Sequence, residues 1–247
     1  MARLYKHYSF DLWMTLIRSN PQYKYERARL IQERYNPGRR SLDEIMAVFR
    51  QVDVLGNTIN EKTGGQLQAE ELYLWVIGLA AGAEDARKGA GLAAGAEDAL
   101  RDIDPHRLYD EMEEVVLAYP PLIYGPDTLA VLGTLRERAP EATFSLLSNT
   151  AFVKGRTLRK VLPGLGLEDL FAFQLYSDEA GLSKPNGAFF RLMLETLAAK
   201  RGPVSREDIV HVGDNPIADI TGAQQMGIPS ILINTNQQGI EHLLRLT

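Results

Sequence analysis

The stretch His7-Tyr8-Ser9-Phe10-Asp11-Leu12-Trp13-Met14-Thr15-Leu16 starts as an apolar strand and runs into a carboxylate, with a threonine four residues beyond Asp11. Residues 7–13, apart from Asp11, are the first of five apolar runs bounded by turn residues; the others cover 143–147, 172–176, 209–212 and 230–233. Helical patterns separate the later runs. Leu129, Leu132 and Leu135 recur at every third position after Gly125-Pro126, and Phe189, Phe190, Met193, Leu194 and Leu197 form another apolar stripe. Strands alternating with helices of this length predict an α/β fold, a Rossmann-like parallel sheet. Ligands bind beyond the carboxyl ends of such strands, which is where Asp11 falls.

The alternation stops between about Ile17 and Pro120, where every pattern is helical. Ser41-Leu42-Asp43-Glu44 has the spacing of a capping box, and Ile45, Phe49, Val52 and Ile59 continue as an apolar face that Gly64-Gly65 ends. A second helix is expected over 68–80, around Leu72, Trp75 and Val76, and a third after Asp104-Pro105, ending before Pro120-Pro121. An all-helical insert is therefore threaded into the α/β core just after its first strand. Within it, residues 78–86 and 91–99 both read GLAAGAEDA. One short duplication is too little for a solenoid and reads as a replicated Ala/Gly linker or helical extension.

The 247 residues are 45% hydrophobic and 24% charged, as in globular proteins, and the length suits two domains or one domain with a large insert. A net charge of −5 lacks the basic footprint of a nucleic-acid binder. There is no cysteine, so disulfides, thiolate metal sites and a Cys nucleophile are excluded. No run of about 18 apolar residues predicts a membrane span. The first ten residues lack the apolar core of a signal peptide, which together with the missing cysteines sets a cytoplasmic expectation.

Three further segments carry chemistry. Ile209-Val210-His211-Val212-Gly213-Asp214 again ends a strand in a carboxylate, and Asp219 follows five residues on. With Asp11 these residues would make the oxygen-rich site that Mg²⁺ prefers. Leu147-Ser148-Asn149-Thr150 ends the second strand in hydroxyl and amide donors suited to a phosphoryl group. Leu182-Ser183-Lys184-Pro185 places a lysine able to balance the carboxylates, with Pro185 fixing the backbone and able to start the next helix.

In this order the four segments resemble the haloacid dehalogenase superfamily, whose members mostly transfer phosphoryl groups. The resemblance covers residues 1–17 and about 119–247 as the catalytic core, and implies that 18–118 form a helical cap. It makes Asp11 the nucleophile, forming an aspartyl-phosphate that water then hydrolyses. Asp11, Asp214 and the main-chain carbonyl of Trp13 would bind Mg²⁺, with Asp219 a further ligand or a support for the metal's waters. Ser148 and Lys184 would hold the transferring phosphoryl oxygens, beside Asn149. Arg18, Asn20 and Lys24 are candidates for the hinge or the pocket rim, Arg18 also for substrate binding. The implied partner is a small phosphorylated metabolite.

Trp13 departs from the pattern. Phosphatases of this family usually have a second Asp two residues after the nucleophile, a general acid–base worth roughly 10²–10⁴ in rate. Three explanations stand: a leaving group that needs no proton, a proton donor from elsewhere such as the cap, or a site that binds phosphate without turnover. Dehalogenases also lack that Asp, so 2-haloacid dehalogenation is the alternative activity. They do not keep an acidic pair like Asp214 and Asp219, which ranks it second. A Schiff-base lysine, as in phosphonoacetaldehyde hydrolases, could be Lys24, Lys62 or Lys88, and nothing in the sequence singles one out. Arg50, Asp53, Asn57 and Asn60 form a polar stripe that reads first as a solvated face and otherwise as a surface reading the substrate. His211 reads as a core residue of its strand.

Overall fold

All four residues of β1 (His7–Phe10) are buried, as expected of a central strand covered on both faces. The computed structural model describes residues 3–36, 39–82 and 99–246. After β1 come β2 (Ile17–Arg18), α1 (Pro21–Arg34), α2 (Leu42–Thr63), α3 (Ala69–Gly82), α4 (Pro105–Ala118), β3 (Leu122–Ile123) and α5 (Thr128–Arg138). The chain then alternates through β4 (Thr143–Ser148), α6 (Gly155–Val161), β5 (Phe173–Tyr176), α7 (Gly187–Arg201), β6 (Ile209–Gly213) and β7 (Ser230–Leu232).

Five strands form one parallel sheet in the order β5-β4-β1-β6-β7. β1 lies between β4 and β6, with His7 level with Thr143 on one side and Ile209 on the other. The loops after β1, β4 and β6 therefore leave the same sheet edge side by side. Tyr8, Phe10, Phe144 and Leu146 pack with Leu132 and Leu135 of α5. Leu147 and Ile209 pack with Phe189, Phe190, Met193 and Leu197 of α7. The inward row of α5 is Val131, Leu132 and Leu135; Leu129 is exposed, because a strict three-residue step drifts around a 3.6-residue helix.

The segment between β2 and β3 is helical among the described residues. Ser41 and Glu44 form the capping box of α2, and Gly64 ends that helix in the left-handed region at φ 68°. Asp104 caps α4 by accepting from the amides of His106 and Arg107. Ile31, Ile45, Phe49, Val52, Tyr73, Val76 and Met112 form a separate apolar cluster that also takes in Phe152 from the loop after β4. Entry and exit run side by side: β2 and β3 pair antiparallel, Ile17 with Ile123 and Arg18 with Leu122. Asn20 caps α1 and donates to the carbonyl of Pro120 at 3.1 Å. Asn186, not Pro185, caps α7. The second copy of the repeat lies, except for Ala99, outside the described residues, so the linker reading of residues 91–99 falls there too.

The buried His7 ring sits between hydroxyls, with Nδ1 2.8 Å from Thr143 Oγ1 and Nε2 2.9 Å from Ser145 Oγ. Burial, then the Arg201 charge, lowers its pKa to about 3. The unfolded chain, near 6.5, thus binds this proton first as pH falls. The contribution is fully present above about pH 6.5 and is lost as pH drops toward 3, at a slope approaching ~1.4 kcal/mol per unit. In urea unfolding from pH 7 to 4, the wild type should lose stability more steeply than His7→Gln. Parallel pH curves for the two proteins would refute this.

Candidate active site

The carboxyl edge of the sheet brings four charged side chains together. Asp11 follows β1, its amide donating to the Val212 carbonyl of β6 at 2.8 Å. Asp214 follows β6, and Asp219 sits in the π-helical turn Pro216–Thr221. Lys184 arrives from the loop before α7, which Asn149 holds in place: its Oδ1 accepts from Lys184 N at 2.8 Å and its Nδ2 donates to Lys184 O at 3.0 Å. Carboxylate oxygens of Asp11, Asp214 and Asp219 all lie within 4.8 Å of one another.

The Lys184 ammonium is buried and donates to Asp11 Oδ1 at 2.8 Å and Asp219 Oδ1 at 2.6 Å. Burial disfavours the charge on Lys184, yet the two carboxylates raise its pKa, so it stays protonated. Burial also acts to raise Asp219, but the ammonium and His211 outweigh it and hold that carboxyl well below the usual range. Asp11 goes the other way: burial pushes it up to about 6 against the pull of Lys184, with the Asp219 charge adding to the rise. Asp214, with Thr15 Oγ1 at 3.4 Å, is raised to about 7 by burial and by the charges of Asp11 and Asp219, against the pull of Lys184. Thr15 also donates to Asp11 Oδ2 at 3.0 Å.

Asp219 is bonded at both carboxylate oxygens. His211 Nε2 lies 3.1 Å from its Oδ1, beside Lys184, and Asn215 N donates to its Oδ2 at 2.9 Å. His211 is thus buried, as its strand position suggests, and tied to the site, with Ser9 Oγ 3.0 Å from Nδ1. Gly213 permits this crowding: a Cβ there would stand 2.2 Å from the Asp219 carboxyl carbon. As to metal binding, the donor set is all oxygen, as a hard cation requires, and Asp11, Asp214 and Asp219 each offer a carboxylate oxygen to it.

Ser148 is buried at the end of β4, its hydroxyl donating to Asn149 O at 3.1 Å. Arg18 is not brought to the site. Alternation along β2 buries Ile17 and exposes Arg18, which is absent from the lining of the adjoining cavity. That cavity, about 390 Å³, lies between the sheet edge and the helical insert. Trp13, Asn149 and Phe152 line it from the core, and Tyr23, Lys24, Arg27 and Phe49 from the insert. Arg50, Asp53 and Asn57 of α2 line it too, so the polar stripe faces the cavity. Its last member does not: Asn60 is buried and accepts from Leu67 N at 2.9 Å. Arg27 was not legible as a site residue, although Tyr23, Arg27 and Ile31 at four-residue steps put an arginine on the buried face of α1.

A family model for haloacid dehalogenase-like hydrolases matches residues 5–227. The chain belongs to this family, the haloacid dehalogenase-like hydrolases. It is 28% identical over 187 residues to the glyceraldehyde 3-phosphate phosphatase of Methanopyrus kandleri, covering 61% of this chain and 76% of that protein. The stretches matched in the first curated relatives span less than half of their length, 29% to 47%. Among solved structures, the magnesium-bound HAD-hydrolase YfnB of Bacillus subtilis superposes with a TM-score of 0.65 at 18% identity, covering 96% of this chain and 92% of that one. The 2-haloacid dehalogenase of Pseudomonas syringae pv. Tomato DC3000 gives 0.59 at 24% identity, covering 96% and 89%. At these identities the two structures establish the shared fold.

Replacing Lys184 by Met should leave Asp11 and Asp219 facing each other in a buried site without a cation. Breaking a buried ion pair in this way costs ~3–5 kcal/mol. Guanidinium unfolding should show that loss near pH 7, and a stability equal to wild type would contradict the ion-pair account.

Proposed function

We propose that the protein is a Mg²⁺-dependent phosphatase acting on a small organic phosphate through an aspartyl-phosphate on Asp11. The observation that supports this best is Asp214. A second, poorly partnered carboxylate beside the nucleophile would repel an anionic substrate unless a cation lies between them. Asp11, Asp214 and the Trp13 carbonyl are the groups that would hold Mg²⁺, which supplies charge neutralisation at the phosphoryl oxygens when bound.

The chain's own residues account for the rest. Asp11 is the nucleophile: one carboxylate oxygen forms a bond to phosphorus as the bond to the leaving oxygen breaks, and water later cleaves the acyl phosphate. Lys184 offsets the charge of Asp11 and of the phosphoryl oxygens. Asp219 and Asn149 are positioning residues that hold Lys184 from its ammonium and its backbone. Thr15 orients Asp11. Ser148 takes the phosphoryl-binding role by exchanging its bond to Asn149 O for one to the substrate. Residues 18–118 act as the cap over this edge. Trp13 also fits 2-haloacid dehalogenation, in which halide departs unprotonated, but the Asp214 carboxylate has no use in that reaction.

Two measurements test the reading. Chelation should abolish phosphate release and Mg²⁺ should restore it; turnover indifferent to chelator, or halide release from 2-haloacids, would favour the dehalogenase. Because Trp13 cannot donate a proton, acyl and aryl phosphates should turn over roughly 10²–10⁴ faster than alkyl phosphates. A Brønsted plot against leaving-group pKa should be steep in the wild type and flatter in Trp13→Asp. Fast, leaving-group-independent turnover by the wild type would point instead to Asp53, the carboxylic acid lining the cavity.

A further inference from the structure

Arg27 stands out among the charged side chains of the insert. The residue is 8% exposed, yet it forms no ion pair or hydrogen bond with any described residue, and its Nε is buried without a partner. Its guanidinium carbon lies 4.2 Å from the ring centroid of Phe49, 4.7 Å from Phe152 and 5.0 Å from Tyr23. Those rings are fixed in turn. Tyr23 and Tyr73 meet hydroxyl to hydroxyl at 3.1 Å, and Tyr73 donates to the Phe152 carbonyl at 3.0 Å.

A buried cation without an anion is costly, and cation–π contacts recover only part of the loss. Arg27 lines the cavity that also contains Trp13, two residues from the nucleophile. The other charged groups of that lining are Lys24, Arg50 and Asp53, so the balance there is positive. Asp53 is close enough for its carboxyl to feel Arg27 and Lys24, but forms no ion pair with either. Three ring centroids lie within 5.0 Å of the guanidinium carbon, and the N–H groups of a guanidinium point outward in its own plane. They form a planar fork that matches a carboxylate in the plane. The aromatic and thioether walls, Phe49, Phe152, Trp13 and Met46, suit a compact organic body between the two charged ends.

We propose that Arg27 binds a carboxylate of the substrate, so that the enzyme acts on a phosphorylated carboxylic acid whose acid group enters the aromatic box of the insert while its phosphoryl group meets Asp11. This deepens the phosphatase reading and rests on it. The test uses probes that are not hydrolysed: titration calorimetry of the full chain, in Mg²⁺, with 3-carboxyphenylphosphonate and with phenylphosphonate. The wild type should bind the carboxylated probe roughly 10- to 100-fold more tightly, the range of a charge-assisted pair. In Arg27→Met that ratio should collapse to about one, and Arg27→Lys, which keeps the charge but loses the fork, should fall between. Should Arg27→Met fail to fold, Arg27→Lys alone must still show the reduced ratio. Equal affinities in the wild type, or a ratio the variants leave unchanged, overturn the subsite while phenylphosphonate binding shows that the phosphoryl site stands. Binding of neither probe overturns both readings.

Discussion

A single ammonium holds the candidate site together. Lys184 sits out of solvent between two carboxylates that arrive from adjacent strands at the sheet centre, one after β1 and one after β6. Without it, the parallel sheet would deliver three negative groups to one edge with nothing to oppose their repulsion. Much of the nearby backbone serves to keep that ammonium in place. Asn149 clamps the main chain of Lys184 on both sides, His211 and Asn215 fix Asp219, and Gly213 leaves room for the Asp219 carboxyl. Asp214 forms no ion pair with a described residue, and its side chain is met by Thr15 Oγ1 at 3.4 Å.

The helical insert bonds to the loops that carry these residues. Gly64 O accepts from Ser183 N at 3.1 Å, and Gln66 accepts from Ser183 Oγ at 2.7 Å, one residue before Lys184. Glu61 accepts from Asn215 at 2.5 Å, one residue after Asp214. On the far side, Lys154 pairs with Glu70 of α3, and Tyr109 of α4 meets Thr157 at 2.7 Å. Phe152, from the loop after β4, lies inside the insert's own apolar cluster. The position of the insert and the position of the site loops are therefore linked through direct contacts.

The α/β sheet was legible because its strands are short apolar runs separated by helical periods, and that pattern follows from burial on both faces. Asp11 and Asp214 were legible for a related reason: each directly follows an apolar strand, and Asp219 was read from its spacing five residues beyond Asp214. Helix ends written in side-chain chemistry, at Ser41, Gly64 and Asp104, were readable too. What sequence did not disclose depends on packing across distant segments. Asn149 looks like a free donor until Lys184 occupies both ends of its amide. Arg18 looks close to the nucleophile by number, but the two-residue strand turns it outward. Arg27 looks like one more surface cation until three aromatic rings from three different elements close around it.

The antiparallel ribbon of β2 and β3 gives the insert one doorway. Both connections cross between the two bodies as neighbouring strands, tied again by the Tyr124 amide to the Leu16 carbonyl at 2.8 Å and by Asn20 to Pro120. A segment inserted this way behaves topologically like the tip of a long hairpin. The sheet does not register how much chain lies beyond the ribbon, provided the two strands return in register. The size and content of the insert are then free to change by gain or loss of helices at that tip, and the aromatic box around Arg27 can be rebuilt without altering the strand order that brings Asp11, Lys184 and Asp219 together.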